Sequence, residues 1–179
     1  MPPPDPHPAA LPPAALLADC DETRTRRSGP GGQHRNKVET AVILRHRPTG
    51  LTAEASERRS QAENRAVALR RLRLRLAVAT RAAALPDDAT PRSGPAAPSR
   101  LWQSRARGGR IAVADSHDDF PSLLAEALDA LAAADWDARA AAGGLGVTPT
   151  QLVRLVAREP TALAELNRQR ATRGLAALR

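Results

Sequence analysis

The sequence predicts an α+β protein in which a small antiparallel sheet packs on a long helix and is followed by a separate, all-helical C-terminal domain. Three observations predict it. β-Branched residues and turn residues alternate through residues 21–55. From residue 57, alanine and leucine recur at spacings of three and four, as in an amphipathic helix. A Pro-rich stretch then precedes a second set of amphipathic segments that begins after residue 110.

These observations divide the chain into four regions. We expect residues 1–18 to be a disordered Pro/Ala-rich terminus, with at most a short helix at Ala14–Ala18. Residues 19–85 should form the domain with the sheet and the long helix, residues 86–110 a Pro/Arg-rich linker, and residues 111–179 the helical domain.

Within residues 19–85 we predict three strands and one helix. Asp21–Arg27 suits a strand, and Val38–His46 and Leu51–Ala55 form a hairpin around the turn Pro48-Thr49-Gly50. The helix begins after the candidate N-cap Ser56 and runs to about residue 84. Its polar face is expected to carry Arg58, Arg65, Arg70, Arg73 and Arg81.

Four further helices are predicted in the C-terminal region, at Phe120–Ala134, Ala138–Ala142, Pro149–Ala157 and Ala162–Arg173, the last capped by Thr161. Part of this region resembles a Fis-type helix-turn-helix, whose recognition helix would expose Thr148, Thr150, Gln151 and Arg154. Residues 111–179 carry seven basic and nine acidic residues, which is unfavourable for a DNA reader. A docking bundle of three or four helices is therefore an equally weighted alternative.

The charge of the chain indicates a polyanionic partner. There are 27 Lys and Arg against 19 Asp and Glu, a formal net charge of +8. Residues 21–76 hold 14 basic and six acidic residues, and residues 77–110 hold six and two. We therefore expect the region 21–110 to face a polyanion, with nucleic acid the first candidate and an anionic membrane the second.

Composition also excludes several classes of protein. Aromatic residues make up 2% of the chain, too few for a sheet that stacks RNA bases. Cys20 is the single cysteine, which rules out an internal disulfide framework and a cysteine-based zinc site. No apolar run is long enough to span a bilayer, so we expect a cytoplasmic protein without membrane contact.

The segment Ser28-Gly29-Pro30-Gly31-Gly32-Gln33 predicts a loop, because three glycines and a proline in succession prevent regular structure. A glycine loop lets the backbone approach another molecule closely, and consecutive N–H groups can bind an anion or a developing oxyanion. Gln33 is neither a nucleophile nor a base at neutral pH. A catalytic loop of this kind would act by positioning and hydrogen bonding, and a surface loop is the plain alternative.

This segment and its neighbours resemble the GGQ domain of class-I peptide chain release factors and of the related ribosome-rescue peptidyl-tRNA hydrolases. The resemblance covers residues 20–80 and continues through Arg47-Pro48-Thr49-Gly50, Glu57-Arg58-Arg59-Ser60-Gln61 and Asn64-Arg65. Asn and Lys are scarce in this chain, yet Asn36 and Lys37 stand side by side in the motif.

The resemblance implies hydrolysis of the peptidyl-tRNA ester in the peptidyl transferase centre of the large ribosomal subunit, without a cofactor or metal. Gly31, Gly32 and Gln33 would be the catalytic residues, with Gln33 orienting water and its N–H stabilising the transition state. Ribosomal RNA and P-site peptidyl-tRNA would be the partners. The expected RNA-binding residues are Arg26, Arg27, Ser28, His34, Arg35, Asn36, Lys37, Arg58 and Arg65.

Two of these assignments stay open. Asn36 could equally brace the loop through side-chain hydrogen bonds. His34 is expected to make a contact or lie in solvent rather than act as an acid or base.

The predicted function is codon-independent release of peptides from stalled ribosomes, because the chain leaves no room for a stop-codon-reading domain. Rescue hydrolases often end in a polybasic tail, whereas Arg168–Arg179 is only mildly basic, and Arg92–Arg110 could replace such a tail. One alternative function is a non-catalytic ribosome- or RNA-binding factor that keeps the GGQ fold. Another is a DNA-binding regulator that uses the C-terminal helices, although DNA is not the expected partner.

Overall fold

The computed structural model describes residues 6–25, 40–81 and 97–179. It confirms the α+β class, because a three-stranded antiparallel sheet occurs together with several helices. The chain divides into two compact units. We call Leu11–Leu76 the sheet unit, and Met1–Ala10 together with Ala77–Arg179 the helical unit.

The sheet unit begins with helix α1 (Pro13–Ala18) and three strands, β1 (Cys20–Thr25), β2 (Ala41–His46) and β3 (Thr52–Ala55). The strands are antiparallel in the order β1-β2-β3, with Thr25 opposite Ala41 and Arg45 opposite Thr52. The β2–β3 turn contains Gly50 at φ +70°, a backbone conformation that glycine adopts without strain. The predicted hairpin is confirmed.

Helix α2 (Gln61–Ala79) follows the sheet. Asn64, Ala68, Leu72 and Leu76 recur every four residues and are fully buried, so they form the inner face of the helix. Three arginines on α2 contact the strands. Arg65 binds Glu22 of β1, Arg71 donates to the Glu54 carbonyl oxygen of β3 at 2.7 Å, and Arg75 donates to the Thr52 carbonyl oxygen.

The prediction for the start of α2 was wrong by one turn. The helix begins at Gln61 because the buried Asn64 amide holds the backbone of Arg58 in a non-helical segment that precedes it. Ser60, not Ser56, lies at the start, where its hydroxyl accepts a weak bond from the Glu63 N–H at 3.4 Å. Arg58 is therefore not on the helix, and Arg73 is 9% exposed rather than on an open polar face.

The helical unit contains a short 3₁₀ helix, five α-helices that lie wholly within it, and a two-stranded hairpin. They are the 3₁₀ helix Pro8–Ala10, α3 (Arg100–Arg105), β4 (Ala106–Arg107), β5 (Arg110–Ile111), α4 (Phe120–Ala133), α5 (Ala138–Leu145), α6 (Pro149–Ala157) and α7 (Pro160–Ala171). Its core is formed by fully or almost fully buried side chains, among them Trp102, Phe120, Leu124, Leu128, Leu152 and Leu155. None of the helices in the described ranges is long and apolar enough to cross a membrane.

Two of the predicted regional assignments were wrong. Residues 100–110, placed in the linker, form α3 and all but the last residue of the β4–β5 hairpin, because Ser99 caps α3 and Trp102 is completely buried. The predicted all-helical C-terminal domain therefore has strands in its unit, and a separate C-terminal domain remains a prediction. At the other end of the chain, Pro8–Ala10 form a 3₁₀ turn with Ala9 fully buried, so this part is not disordered. The short helix allowed at Ala14–Ala18 is confirmed as α1, with Leu16 fully buried.

Smaller differences concern three local features. Helix α5 continues through Gly143 and Gly144 to Leu145, three residues beyond the predicted end. Helix α7 is capped by the Glu159 carboxylate, which accepts from the N–H and hydroxyl of Thr161. His46, expected at the surface, is 2% exposed, and burial lowers its pKa.

Replacing Trp102 tests whether residues 100–111 belong to a folded core. Its indole Nε1 donates to the Leu145 carbonyl oxygen at 2.9 Å, across 43 residues of chain. We expect Trp102→Ala to lower the free energy of unfolding by about 3–5 kcal/mol, since it opens a large cavity. Trp102→Phe should cost about 1–3 kcal/mol, since it removes the hydrogen bond and part of the ring. Urea unfolding followed by circular dichroism measures both.

Arg100→Ala is the matched control, because Arg100 is an exposed side chain on the same helix. It should change the free energy of unfolding by no more than about 0.5 kcal/mol. Equal stability of Trp102→Ala and Arg100→Ala would contradict a core position for the indole.

Candidate functional site

The candidate catalytic residues Gly31, Gly32 and Gln33 lie outside the described residues. Seven of the predicted RNA-binding residues also lie outside the described residues, namely Arg26, Arg27, Ser28, His34, Arg35, Asn36 and Lys37, and so does Gly29 of the predicted loop. The structure describes what holds the two ends of this segment and what surrounds those ends.

Both ends of the segment are held by a single pair of strands. Strand β1 ends at Thr25, strand β2 begins at Ala41, and these two residues are direct partners in the antiparallel ladder. Paired residues of this kind have Cα atoms about 5 Å apart. The chain therefore leaves the sheet after Thr25 and returns to it at Ala41, at adjacent positions at one end of the sheet. We call the connecting residues 26–40 the excursion.

The side chain of Asn64 holds Thr40, the last residue of the excursion before β2. Its Nδ2 donates to the carbonyl oxygen of Thr40 at 2.6 Å and to that of Arg58 at 3.0 Å, and its Oδ1 accepts from the Arg58 N–H at 2.9 Å. Asn64 is 0% exposed, so these bonds have no competition from water. One buried amide thus joins helix α2, the Arg58 segment and the last residue before β2.

Sequence reasoning quoted Asn64 only as part of a motif and gave it no role. The one available signal was composition, because the chain has only three asparagines and this one lies on the apolar face of a predicted helix. A buried polar side chain is expected to be hydrogen-bonded, but its partners, 6 and 24 residues away, could not be identified from spacing.

Arg65 belongs to a cluster around Glu22 on β1. Its Nε lies 2.7 Å from Glu22 Oε2, and Arg24 binds the other carboxylate oxygen at 2.9 Å. Partial burial of Glu22 raises its pKa, but hydrogen bonds from Arg24 and Arg65 outweigh it and lower the pKa overall. Arg65 has 47% of its side chain exposed, so part of its guanidinium stays accessible to solvent while it braces β1 to α2.

Arg58 is the predicted RNA-binding residue that the structure places beside the excursion. Its backbone is held by the same Asn64 amide that binds Thr40, and its side chain is exposed. In the part of the chain that the structure describes, no ion pair engages its guanidinium. Arg58 is therefore available to a polyanion, whereas Arg65 is shared with Glu22.

The motif residues around Pro48 lie at the opposite end of the sheet and have structural roles. His46 Nδ1 is 2.8 Å from the Thr49 hydroxyl, and the guanidinium of Arg47 contacts the carbonyl oxygens of Ala18 and Cys20. These contacts close the β2–β3 turn and attach it to the start of β1. The structure thus separates this motif from the excursion that begins at Thr25.

The described residues thus give a strand pair that brackets the glycine–glutamine segment, with exposed cations and a buried amide beside its ends. Comparison with known protein families identifies the class. The family model described as the RF-1 domain matches residues 17–107, about half of the chain. The chain therefore belongs to the class-I peptide chain release factor family, as its motifs predicted.

Individual relatives agree with this assignment. A peptide chain release factor 1 from Acidiphilium cryptum (strain JF-5) is 39% identical over 130 residues, which cover 66% of this chain and 37% of that protein. One from Verminephrobacter eiseniae is 45% identical over 95 residues, covering 52% and 25%. The chloroplastic peptide chain release factor PrfB1 of Arabidopsis thaliana is 50% identical over 60 residues, covering 34% and 13%. The chain thus spans little more than a third, or less, of the length of these relatives.

Substitution of Asn64 tests its role at the base of the excursion. Asn64→Ala should lower the free energy of unfolding by about 2–3 kcal/mol, because two carbonyls and one N–H lose a buried partner. Asn64→Asp keeps the oxygen that accepts from the Arg58 N–H, but it places the second carboxylate oxygen next to the carbonyl oxygens of Thr40 and Arg58. Burial and this repulsion would raise the pKa of the new carboxyl in the folded state. The loss in free energy of unfolding caused by Asn64→Asp should therefore be larger at pH 7 than at pH 5.

Urea unfolding at both pH values measures these effects. Glu63→Ala, an exposed change at the neighbouring position, is the control and should stay within about 0.5 kcal/mol of the wild type. Wild-type stability of Asn64→Ala would show that the amide does not hold this part of the fold.

Proposed function

We propose that this chain hydrolyses the ester bond of peptidyl-tRNA on the ribosome and so releases nascent peptides from stalled ribosomes without reading a codon. The observation that carries the proposal is the Gly31-Gly32-Gln33 segment, which lies inside the family match and between two directly paired strands. Gly31, Gly32 and Gln33 are the proposed catalytic residues.

The proposed reaction needs no cofactor. The oxygen of a water molecule bonds to the ester carbonyl carbon, the bond from that carbon to the ribose 3′ oxygen breaks, and this oxygen takes a proton. Gln33 orients the water, and its backbone N–H stabilises the charge that develops on oxygen. The ribosome supplies the enclosed site, and the peptidyl transferase centre, ribosomal RNA and P-site peptidyl-tRNA are the proposed partners.

The described residues support this proposal through the base of the excursion. The β1–β2 pair and the Asn64 amide hold both ends of residues 26–40, so that entry into a crowded RNA site would cost less conformational entropy than for a free loop. Arg58 and the exposed part of Arg65 are proposed to contact RNA phosphates, together with Arg26, Arg27, Ser28, His34, Arg35, Asn36 and Lys37.

Codon independence is supported by the position of the aromatic side chains. Sequence-specific reading of single-stranded RNA usually stacks bases on aromatic rings. The chain has one Phe, two Trp and no Tyr, and Phe120, Trp102 and Trp136 are 1%, 0% and 4% exposed. These rings are committed to the core, which favours contacts with the RNA backbone over recognition of bases.

The catalytic assignment is tested with ribosomes that carry labelled peptidyl-tRNA in the P site. We expect Gln33→Ala and Gly32→Ala to lower the single-turnover release rate about 10²-fold or more, the range for loss of an oriented catalytic hydrogen bond. Arg59→Ala, an exposed change outside the loop, is the control for folding and should keep most of the rate. Near-wild-type release by both loop variants would place the catalysis in other residues. No release by the wild type would leave the non-catalytic alternative, a ribosome-binding factor that keeps the fold.

Ribosome dependence and codon independence are tested with the wild-type protein. Release should proceed at similar rates whether the A site holds a stop codon, a sense codon or no codon, and free peptidyl-tRNA should not be cleaved, because Gln33 cannot activate water by itself. A strong preference for stop codons would contradict the rescue role but not the hydrolysis. Cleavage of free peptidyl-tRNA would place catalysis in other residues.

A further inference from the structure

A basic surface in the helical unit combines elements that are far apart in sequence. The turn of the β4–β5 hairpin is Arg107-Gly108-Gly109-Arg110, and the turn between helices α5 and α6 is Gly146-Val147-Thr148. The Thr148 N–H donates to the Gly109 carbonyl oxygen at 2.9 Å, and Gly109 forms a parallel bridge with Val147. The hairpin therefore lies directly against the start of α6.

Helices α5 and α6 have the local features of a helix-turn-helix. Helix α5 ends in Gly146 at φ +67°, whose N–H returns to carbonyl oxygens of the last turn. Thr148 then caps α6 by accepting from the Gln151 N–H at 3.3 Å, and Pro149 occupies the first turn. Three residues thus reverse the chain between the helices, as in that motif.

The outward face of α6 is polar and basic. Leu152, Val153, Leu155 and Val156 are buried, whereas Thr150, Arg154 and Arg158 are exposed at spacings of four residues. Arg158 is held to the Val113 carbonyl oxygen, so that this face continues toward the hairpin strand.

Charge within the helical unit is strongly segregated. Residues 97–114 and 138–158 contain seven arginines and no acidic residue, whereas residues 115–137 contain seven acidic residues and no basic one. The net charge of −2 for residues 111–179 is therefore an average over two unlike parts. It does not describe the surface at the start of α6, to which the hairpin adds Arg107 and Arg110.

Several of the acidic residues are occupied elsewhere in the unit. Asp119 binds Arg105 at 2.6 Å, Glu126 accepts from the Ser99 N–H, and Asp137 caps α5. Among the residues that the structure describes, Arg107, Arg110 and Arg154 have no hydrogen-bonded or ion-paired side-chain partner. Such uncompensated cations favour a polyanion, and the N-terminus of α6, which the hairpin contacts through Thr148, adds positive potential.

We propose that Arg107, Arg110 and Arg154 form a second nucleic-acid contact surface, separate from the loop, that binds the phosphate backbone of double-helical RNA. The choice of RNA as the polyanion rests on the proposed function on the ribosome. The charge and position of the three arginines are observations that do not rest on that function. The two hairpin arginines flank the Gly108-Gly109 tip, which its bond to Thr148 holds in place. The two-residue strands carry no aromatic ring, which favours recognition of RNA shape over recognition of sequence.

The test measures binding of the full chain to a fluorescent 16-base-pair RNA duplex, by anisotropy at several salt concentrations. The triple variant Arg107→Ala/Arg110→Ala/Arg154→Ala should bind about tenfold or more weakly near 0.1 M salt. The slope of log Kd against log salt should fall by about 2–3, since three phosphate contacts are lost.

Arg168→Ala/Arg173→Ala/Arg179→Ala is the matched control, because it removes the same charge from exposed positions outside this surface. It should leave the salt slope within about one unit of the wild type. Equal losses in the two triple variants would show a net-charge effect and overturn the surface. Unchanged RNA binding in the first variant, with loss of binding to the same sequence as a DNA duplex, would overturn the RNA assignment.

A third variant separates this surface from the proposed hydrolysis. Gln33→Ala should keep wild-type binding to the duplex, because it removes no charge. If Gln33→Ala retains release activity while the arginine variant loses duplex binding, the hydrolysis proposal fails and the surface stands. If Gln33→Ala abolishes release while the arginine variant binds the duplex normally, the surface fails and the hydrolysis stands.

Discussion

The direct pairing of Thr25 with Ala41 is the constraint on which the candidate site depends. Strands β1 and β2 are neighbours in the sheet, so the excursion that contains the glycine–glutamine segment starts and ends at the same end of the sheet. The Asn64 amide then fixes the Thr40 carbonyl next to that pair, and does so from a helix that packs its apolar face inward. In the proposed reaction this segment acts by position rather than by its own chemistry, and such a role needs a fixed base, because small displacements of a positioned group cost large factors in rate.

The arginines of the chain serve two different purposes. In the sheet unit Arg47, Arg65, Arg71 and Arg75 bind backbone carbonyls or carboxylates and so join the strands to each other and to α2. In the helical unit Arg107, Arg110 and Arg154 extend outward from a region without acidic residues. Net charge alone therefore overstates how much basic surface the sheet unit has free for a polyanion. It understates how much basic surface the helical unit has free.

The helical unit depends on contacts that no local sequence pattern predicts. Ser99 caps α3, Glu126 of α4 binds Ser99, and Trp102 donates to the end of α5. These three contacts turn a stretch whose composition predicts a linker into part of a core. They also place the Arg107–Arg110 turn where it can bond to Thr148, so the packing of one indole and the position of the basic hairpin are linked.

The sequence by itself determined the α+β class, the β2–β3 hairpin, the amphipathic helices and the release factor family. Each of these depends on spacing, turn residues or a contiguous motif such as Gly31-Gly32-Gln33, all of which are local. Only the tertiary structure decided where α2 begins, that His46 and Trp102 are buried, and that Asn64 supports the excursion. It also brought the hairpin arginines to the start of α6. Such facts depend on packing and on hydrogen bonds between residues 6 to 43 positions apart, whose pairing no local pattern encodes.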